Sequence, residues 1–179
     1  MGHDAISCDL LATEARGPHI QGDVLDALYN GGVWDLVILH PPCTYLAASG
    51  LHWNNKIEGR AEKTEEALRF ITQLWKAPVE KMCIENPVGC INTRLDFMPK
   101  PQYVQPYNFG EDASKKTGLW LKGLPHLEPT EYIEPRYEND KPRWSNQGDT
   151  GYDKFGGGQG KERSVTFFGI AAAMALQWG

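Results

Sequence analysis

Two short motifs carry residues able to do chemistry. Cys43 closes the run His40-Pro41-Pro42-Cys43, and Glu85 opens the run Glu85-Asn86-Pro87. Each follows an apolar stretch, Trp34 to Leu39 (WDLVIL) and Glu80 to Ile84 (EKMCI), of the kind that forms a strand buried on both faces. Two prolines cannot continue a central ladder, so the chain leaves the sheet at Pro41-Pro42 and puts Cys43 just past the strand end. Glu85 arrives at the same edge, and open α/β sheets bind ligands there. A thiolate nucleophile beside a carboxylic acid is the equipment of covalent catalysis with proton donation. A free thiol of pKa about 8.5 needs activation for this. The acid must stay protonated near pH 7, which burial at a strand end promotes. The plainer readings are a small buried hydrophobe for Cys43 and a surface turn acid for Glu85. Two strand ends that carry a thiol and a carboxylate together are more specific than either residue alone.

The elements that must position these residues alternate between strand and helix, which predicts a parallel sheet covered by helices. Asp4 to Leu10 (DAISCDL) reads as a strand, and Pro18 to Val24 (PHIQGDV) carries a shorter one. From Ile57 to Ala77 the positions Ala61, Leu68, Ile71 and Trp75 recur at helical spacing, Glu65 stands four residues before Arg69, and Pro78 ends the helix. The second half is broken by prolines into turns and short strands, with Gly118 to Lys122 (GLWLK) the best strand among them. Ser145 to Arg163 is polar and glycine-rich and reads as a mobile loop. Gly169 to Trp178 is alanine-rich and reads as a packed helix.

A chain of 179 residues with 41% hydrophobic and 23% charged residues fits one soluble domain over 1–179. Cys8, Cys43, Cys83 and Cys90 have no C-x-x-C spacing, which argues against a zinc ribbon or disulfide scaffold and for reduced thiols. No run approaches the ~20 apolar residues of a membrane span and no signal pattern opens the chain, so a cytoplasmic protein is expected. The net charge of -5 argues against a surface that grips duplex DNA through many phosphates. Contact with nucleic acid would fall to a local patch, with Lys154, Lys161 and Arg163 of the glycine-rich loop as candidates. Trp53 and Trp144 are candidate rings to stack on a base, or else core or interface.

His40-Pro41-Pro42-Cys43 resembles the Pro-Cys motif of the cytosine carbon-5 DNA methyltransferases, and Ile84-Glu85-Asn86-Pro87 resembles their Glu-Asn-Val motif, with Pro87 in place of valine. The resemblance runs in order over most of the chain and is to small phage-type members without a separate target-recognition domain. It implies a Rossmann-like, mainly parallel sheet with flanking helices. It also implies attack of the Cys43 thiolate on ring carbon 6 while Glu85 protonates ring nitrogen 3, and a methyl group taken from S-adenosylmethionine. Asp9 resembles the acid that binds the cofactor ribose and Asp23 the residue on the adenine amino group; by residue type alone each is equally a turn former or helix cap. By the same resemblance His40 and Pro41 lie on the cofactor side, and Pro42, Asn86 and Lys116 on the substrate side. Lys115 and Lys116 stand where the family places arginines, whose planar fork a lysine lacks. Phe168-Gly169-Ile170 resembles the closing cofactor motif loosely.

The family opens with a strand and a glycine-rich turn that cradles the methionine end of the cofactor, and no counterpart precedes Met1. An N-terminally incomplete fold follows, with a sheet edge to be covered by another segment, a second copy or a partner chain. Two functions are therefore expected. The first is methylation of cytosine at carbon 5, in DNA or in a free nucleotide, with weak or absent transfer from this chain alone. The second is an impaired methyltransferase-like fold that binds DNA or a protein.

Overall fold

The structure is a computed structural model and describes residues 2–147 and 166–179. The chain divides into two compact units, residues 1–101 with 119–124, and residues 102–118 with 125–179. The protein is mixed α/β, as expected, and its strands lie in small sheets.

In the first unit β1 (Ser7–Asp9) and β2 (His19–Gln21) form a parallel pair that is a sheet of its own. Both are shorter than the strands expected from 4–10 and 18–24. Asp23 then caps α1 (Val24–Asn30): its Oδ1 accepts the Leu25 N–H at 2.8 Å, satisfying one of the amides that a helix start leaves open. β3 (Val37–Leu39) pairs in parallel with β4 (Met82–Pro87), with Leu39 opposite Ile84. β3 stops before the two prolines, as the missing amide hydrogens require.

Between them lie two short helical turns, α2 (Ala48–Leu51) among them, and α3 (Arg60–Lys76). The buried positions of α3 are Thr64, Leu68, Ile71 and Leu74, spaced four, three and three residues apart along one face. That face meets Met82 and Ile84 of β4 in a core completed by Leu28, Leu39, Leu46, Ile91 and Trp120. Each fully buried leucine or isoleucine is worth about 1.5–3 kcal/mol. Trp120 is 2% exposed, and its Nε1 donates to Oδ1 of Asn92 in α4 (Ile91–Arg94).

β4 is followed in the sheet by β6 (Thr117–Lys122), whose residues Leu119–Lys122 belong to the first unit, in the order β3-β4-β6, and β5 is Gln102–Val104 of the second unit. β3 stands at one end of this order. In the second unit β7 (Arg136–Glu138) and β8 (Lys141–Arg143) form an antiparallel hairpin whose turn residues Asn139 and Asp140 have φ of 50° and 59°. Asn and Asp tolerate that left-handed region better than other side chains do. α5 (Phe168–Gln177) packs Ile170, Ala173 and Met174 inward, as its composition predicts. The turn of Ser145 and Asn146 begins the glycine-rich stretch, whose residues 148–165 lie outside the described residues. No helix among the described residues is long and apolar enough to cross a membrane.

Candidate active site

The register of β3 against β4 places the chemistry. Leu39 faces Ile84, so the next pair in step is His40 and Glu85, and the one after is Pro41 and Asn86. Both pairs are bonded. His40 Nδ1 lies 2.9 Å from Glu85 Oε2, and Asn86 Nδ2 donates to the Pro41 carbonyl at 2.9 Å. The His40 side chain is 45% exposed and that of Glu85 19%, so the carboxyl is the more buried of the two. Cys83, one turn of the pleat earlier in β4, is fully buried. Burial, with the negative charge of Glu85 adding to it, pushes the Cys83 thiol up to about 12, which leaves it inert at neutral pH.

Cys43 is an exposed free thiol in a turn fixed through its main chain. Leu46 and Ala47 amides donate to the Cys43 carbonyl at 3.0 and 2.9 Å. Arg60, the first residue of α3, donates to the Thr44 carbonyl at 3.1 Å and lays its guanidinium over the Tyr45 ring at 4.9 Å. Thr64, buried in the same helix, donates to the Tyr45 carbonyl at 3.0 Å and accepts from Asn54 Nδ2 at 2.9 Å. From the other side, Cys90 N–H donates to the Leu46 carbonyl and Ala48 N–H to the Val88 carbonyl, each at 2.9 Å. Gly89 makes this approach possible, because a Cβ there would overlap the Leu46 carbonyl oxygen. The segment after Glu85 and the segment after Cys43 are thus bridged at Ala47 and Gly89.

A slot of about 170 Å³ opens beside this turn, lined by Pro41, Pro42, Tyr45, Leu46, Ala67 and Phe70. Lys63 and Glu66, paired at 4.0 Å, also border it. Its walls suit a flat apolar ring.

The residues expected at the site are thus only partly brought together. His40, Pro41, Glu85 and Asn86 meet at the ends of β3 and β4, and Cys43 follows in the clamped turn. Asn86 is 1% exposed and spends its amide on Pro41, so its visible task is to hold the turn. Asp9 accepts the Leu11 N–H at 2.8 Å, a turn bond comparable to the Asp23 cap. Asp9 is the last residue of β1 and Asp23 lies two residues past β2, so both stand at the C-terminal ends of parallel strands, and each uses Oδ1 in these bonds. Two such carboxylates fit the hydroxyl and amino groups of an adenosine. Lys116 belongs to the second unit, where its ammonium lies 4.4 Å from the Tyr103 ring centroid. Trp144 is buried and stacked on Tyr107 at 4.1 Å, so it is core, whereas Trp53 is 43% exposed.

Sequence reading missed the contact of His40 with Glu85 and the clamp by Arg60, Thr64 and Gly89. The first follows from the register once β3 and β4 are taken as parallel neighbours. No local pattern marks the clamp. No family model matches the chain, and no curated protein matches it.

Proposed function

We propose that the first unit is a cytosine carbon-5 methyltransferase site with Cys43 as nucleophile and Glu85 as acid. The observation that carries the reading is the adjacent pairing of His40 with Glu85 and Pro41 with Asn86. It sets a carboxyl and the root of the thiol turn at the ends of two parallel neighbours. In this reading the sheet is the remnant of a Rossmann-like arrangement. The Cys43 sulfur adds to ring carbon 6, Glu85 gives a proton to ring nitrogen 3, and carbon 5 becomes the nucleophile. S-adenosylmethionine, when bound, supplies the methyl group. Asp9 and Asp23 would hold its adenosine half, with His40 and Pro41 near it, and Pro42 would border the base, with buried Asn86 holding the turn behind it. Loss of the carbon-5 proton to solvent then lets the sulfur leave. Cytosine in DNA and in a free nucleotide both fit this chemistry.

A second reading is a methyltransferase-like module that binds DNA or a protein without turnover. It is favoured by the end position of β3 and the separation of the β1–β2 pair from the larger sheet. Transfer of labelled methyl to cytosine DNA and to deoxycytidine nucleotides, with Cys43→Ala alongside, separates the two. Weak transfer that disappears in Cys43→Ala is expected. Equal background in both proteins refutes the enzymatic reading.

A further inference from the structure

A carboxylic acid that protonates a ring must hold a proton at the pH where a thiolate is present, and these demands conflict. The contact between His40 and Glu85 offers a way to meet both. The carboxylate oxygen Oε2 faces His40 Nδ1 at 2.9 Å, which leaves Oε1 for a ring. If Nδ1 carries the hydrogen of this bond, Nε2 is the imidazole nitrogen that exchanges with solvent, and the side chain is open enough for that. The pair then has two arrangements with equal proton count and equal net charge. In one, the proton sits on Nε2 and Glu85 is a carboxylate. In the other, Nε2 has given its proton to water and Oε1 has taken one from water, so that His40 is neutral. Replacing water by an aromatic ring disfavours separated charges and so favours the second arrangement, in which Glu85 is a donor.

We propose that His40 is a positioning residue that fixes Glu85 through Nδ1–H and stores the proton Glu85 delivers; this rests on the proposed reading of the site. The step balances. Oε1–H passes to ring nitrogen 3 as the Cys43 sulfur forms its bond to carbon 6, and Nδ1–H stabilises the carboxylate left behind. When the carbon–sulfur bond breaks, the proton returns from nitrogen 3 to Oε1. Cys83 precedes Glu85 in β4 and stays protonated. Lys63 and Glu66 of α3 border the slot and pair with each other. Lys122 of β6 gives its ammonium to the Trp75 and Ala77 carbonyls at 3.1 and 3.0 Å. Cys43 itself carries the reacting sulfur.

His40→Asn is the discriminating variant, because an asparagine amide can donate where Nδ1 does but cannot store a proton. Two measurements on the full chain decide the matter. The first is nitrogen NMR of the imidazoles between about pH 5 and pH 9, with His40→Asn for assignment. His40 is expected to keep its hydrogen on Nδ1 throughout. A neutral tautomer with hydrogen on Nε2 and Nδ1 as acceptor overturns the proposal, since the acid hydrogen would then face the imidazole. The second is exchange of the carbon-5 hydrogen of deoxycytidine monophosphate in heavy water without a methyl donor, followed against pH. His40→Asn is expected to move the alkaline limb of the profile down by at least one pH unit, a loss of about tenfold at a pH on that limb. Superimposable profiles overturn the proposal. No exchange by the wild-type chain at any pH overturns the reading of the site instead, and the tautomer measurement then decides the dyad alone.

Discussion

Substituting Gly89 tests how the thiol turn is held. The backbone of Gly89 is not left-handed, so alanine there has no left-handed backbone penalty and its effect on the folded state is steric. The new Cβ would overlap the Leu46 carbonyl oxygen and lie 2.8 Å from its carbon and 3.1 Å from Ala47 Cα. All three are main-chain atoms, so no side chain can swing aside and the bridge must open. Opening it breaks the bonds from Cys90 to Leu46 and from Ala48 to Val88. Each is worth about 1 kcal/mol, and stranding the amide of buried Cys90 adds about 1–2 kcal/mol. Alanine returns about 0.4–1 kcal/mol by restricting the unfolded chain. The net loss is about 2–3 kcal/mol, or roughly a hundredfold in the opening equilibrium of this region. Amide hydrogen exchange read at Ala48 and Cys90 measures it locally, and urea unfolding should show a midpoint lower by about 1 M for a slope near 2 kcal/mol/M. Gly22→Ala is the control, since a Cβ there meets nothing nearer than Ile20 Cγ2 at 3.9 Å and its backbone is also not left-handed. If Gly89→Ala protects the two amides as well as the wild type does, the bridge does not hold the turn.

Asn86→Ala removes the bond to the Pro41 carbonyl inside the core and is expected to cost about 1–3 kcal/mol by urea unfolding, with faster modification of Cys43 by a disulfide reagent. Thr64→Val keeps the shape but strands the Tyr45 carbonyl and the Asn54 amide, with a similar cost by the same assay. Alkaline titration should expose Cys83: its folded thiol is raised to about 12, so the stability it gives is fully present below the unfolded value near 8.5–9 and falls as pH rises. The slope is about 1.4 kcal/mol per pH unit up to the folded value, read by urea unfolding at successive pH values and absent in Cys83→Ala.

The legible parts of this protein are those whose signal is local. The apolar runs before Pro41 and Glu85 became β3 and β4, and the helical spacing of Leu68 and Ile71 became the buried face of α3. Gly118 to Lys122 and the alanine-rich tail held for the same reason. Strand ends at 4–10 and 18–24 were overestimated because polar flanks carry no mark of where a ladder stops, and β1 and β2 pair with each other alone. The site was legible as two strand ends but not as a constellation. His40 and Glu85 are 45 residues apart, and only the register of a parallel pair puts one on the other. Gly89, Arg60 and Thr64 act on carbonyls, which every residue has, so nothing in the sequence announces their targets.

That last property explains how the turn can be rigid while its thiol is exposed. The groups that fix it take hold of the carbonyls of Pro41, Thr44, Tyr45 and Leu46, and none of these bonds uses the Cys43 side chain. The backbone therefore sets the direction of the Cα–Cβ bond, and the sulfur remains accessible. Glu85 is held in the opposite manner, through its own side chain and by an imidazole. In the proposed function Cys43 would have to approach a substrate and change bonding partners, whereas Glu85 would have to keep its orientation and its proton; holding the first by main chain and the second by side chain would serve both needs. The same logic predicts unequal tolerance. Substitution at Thr44, whose contribution is a carbonyl, should leave the turn in place, while any change at His40 reaches Glu85 directly.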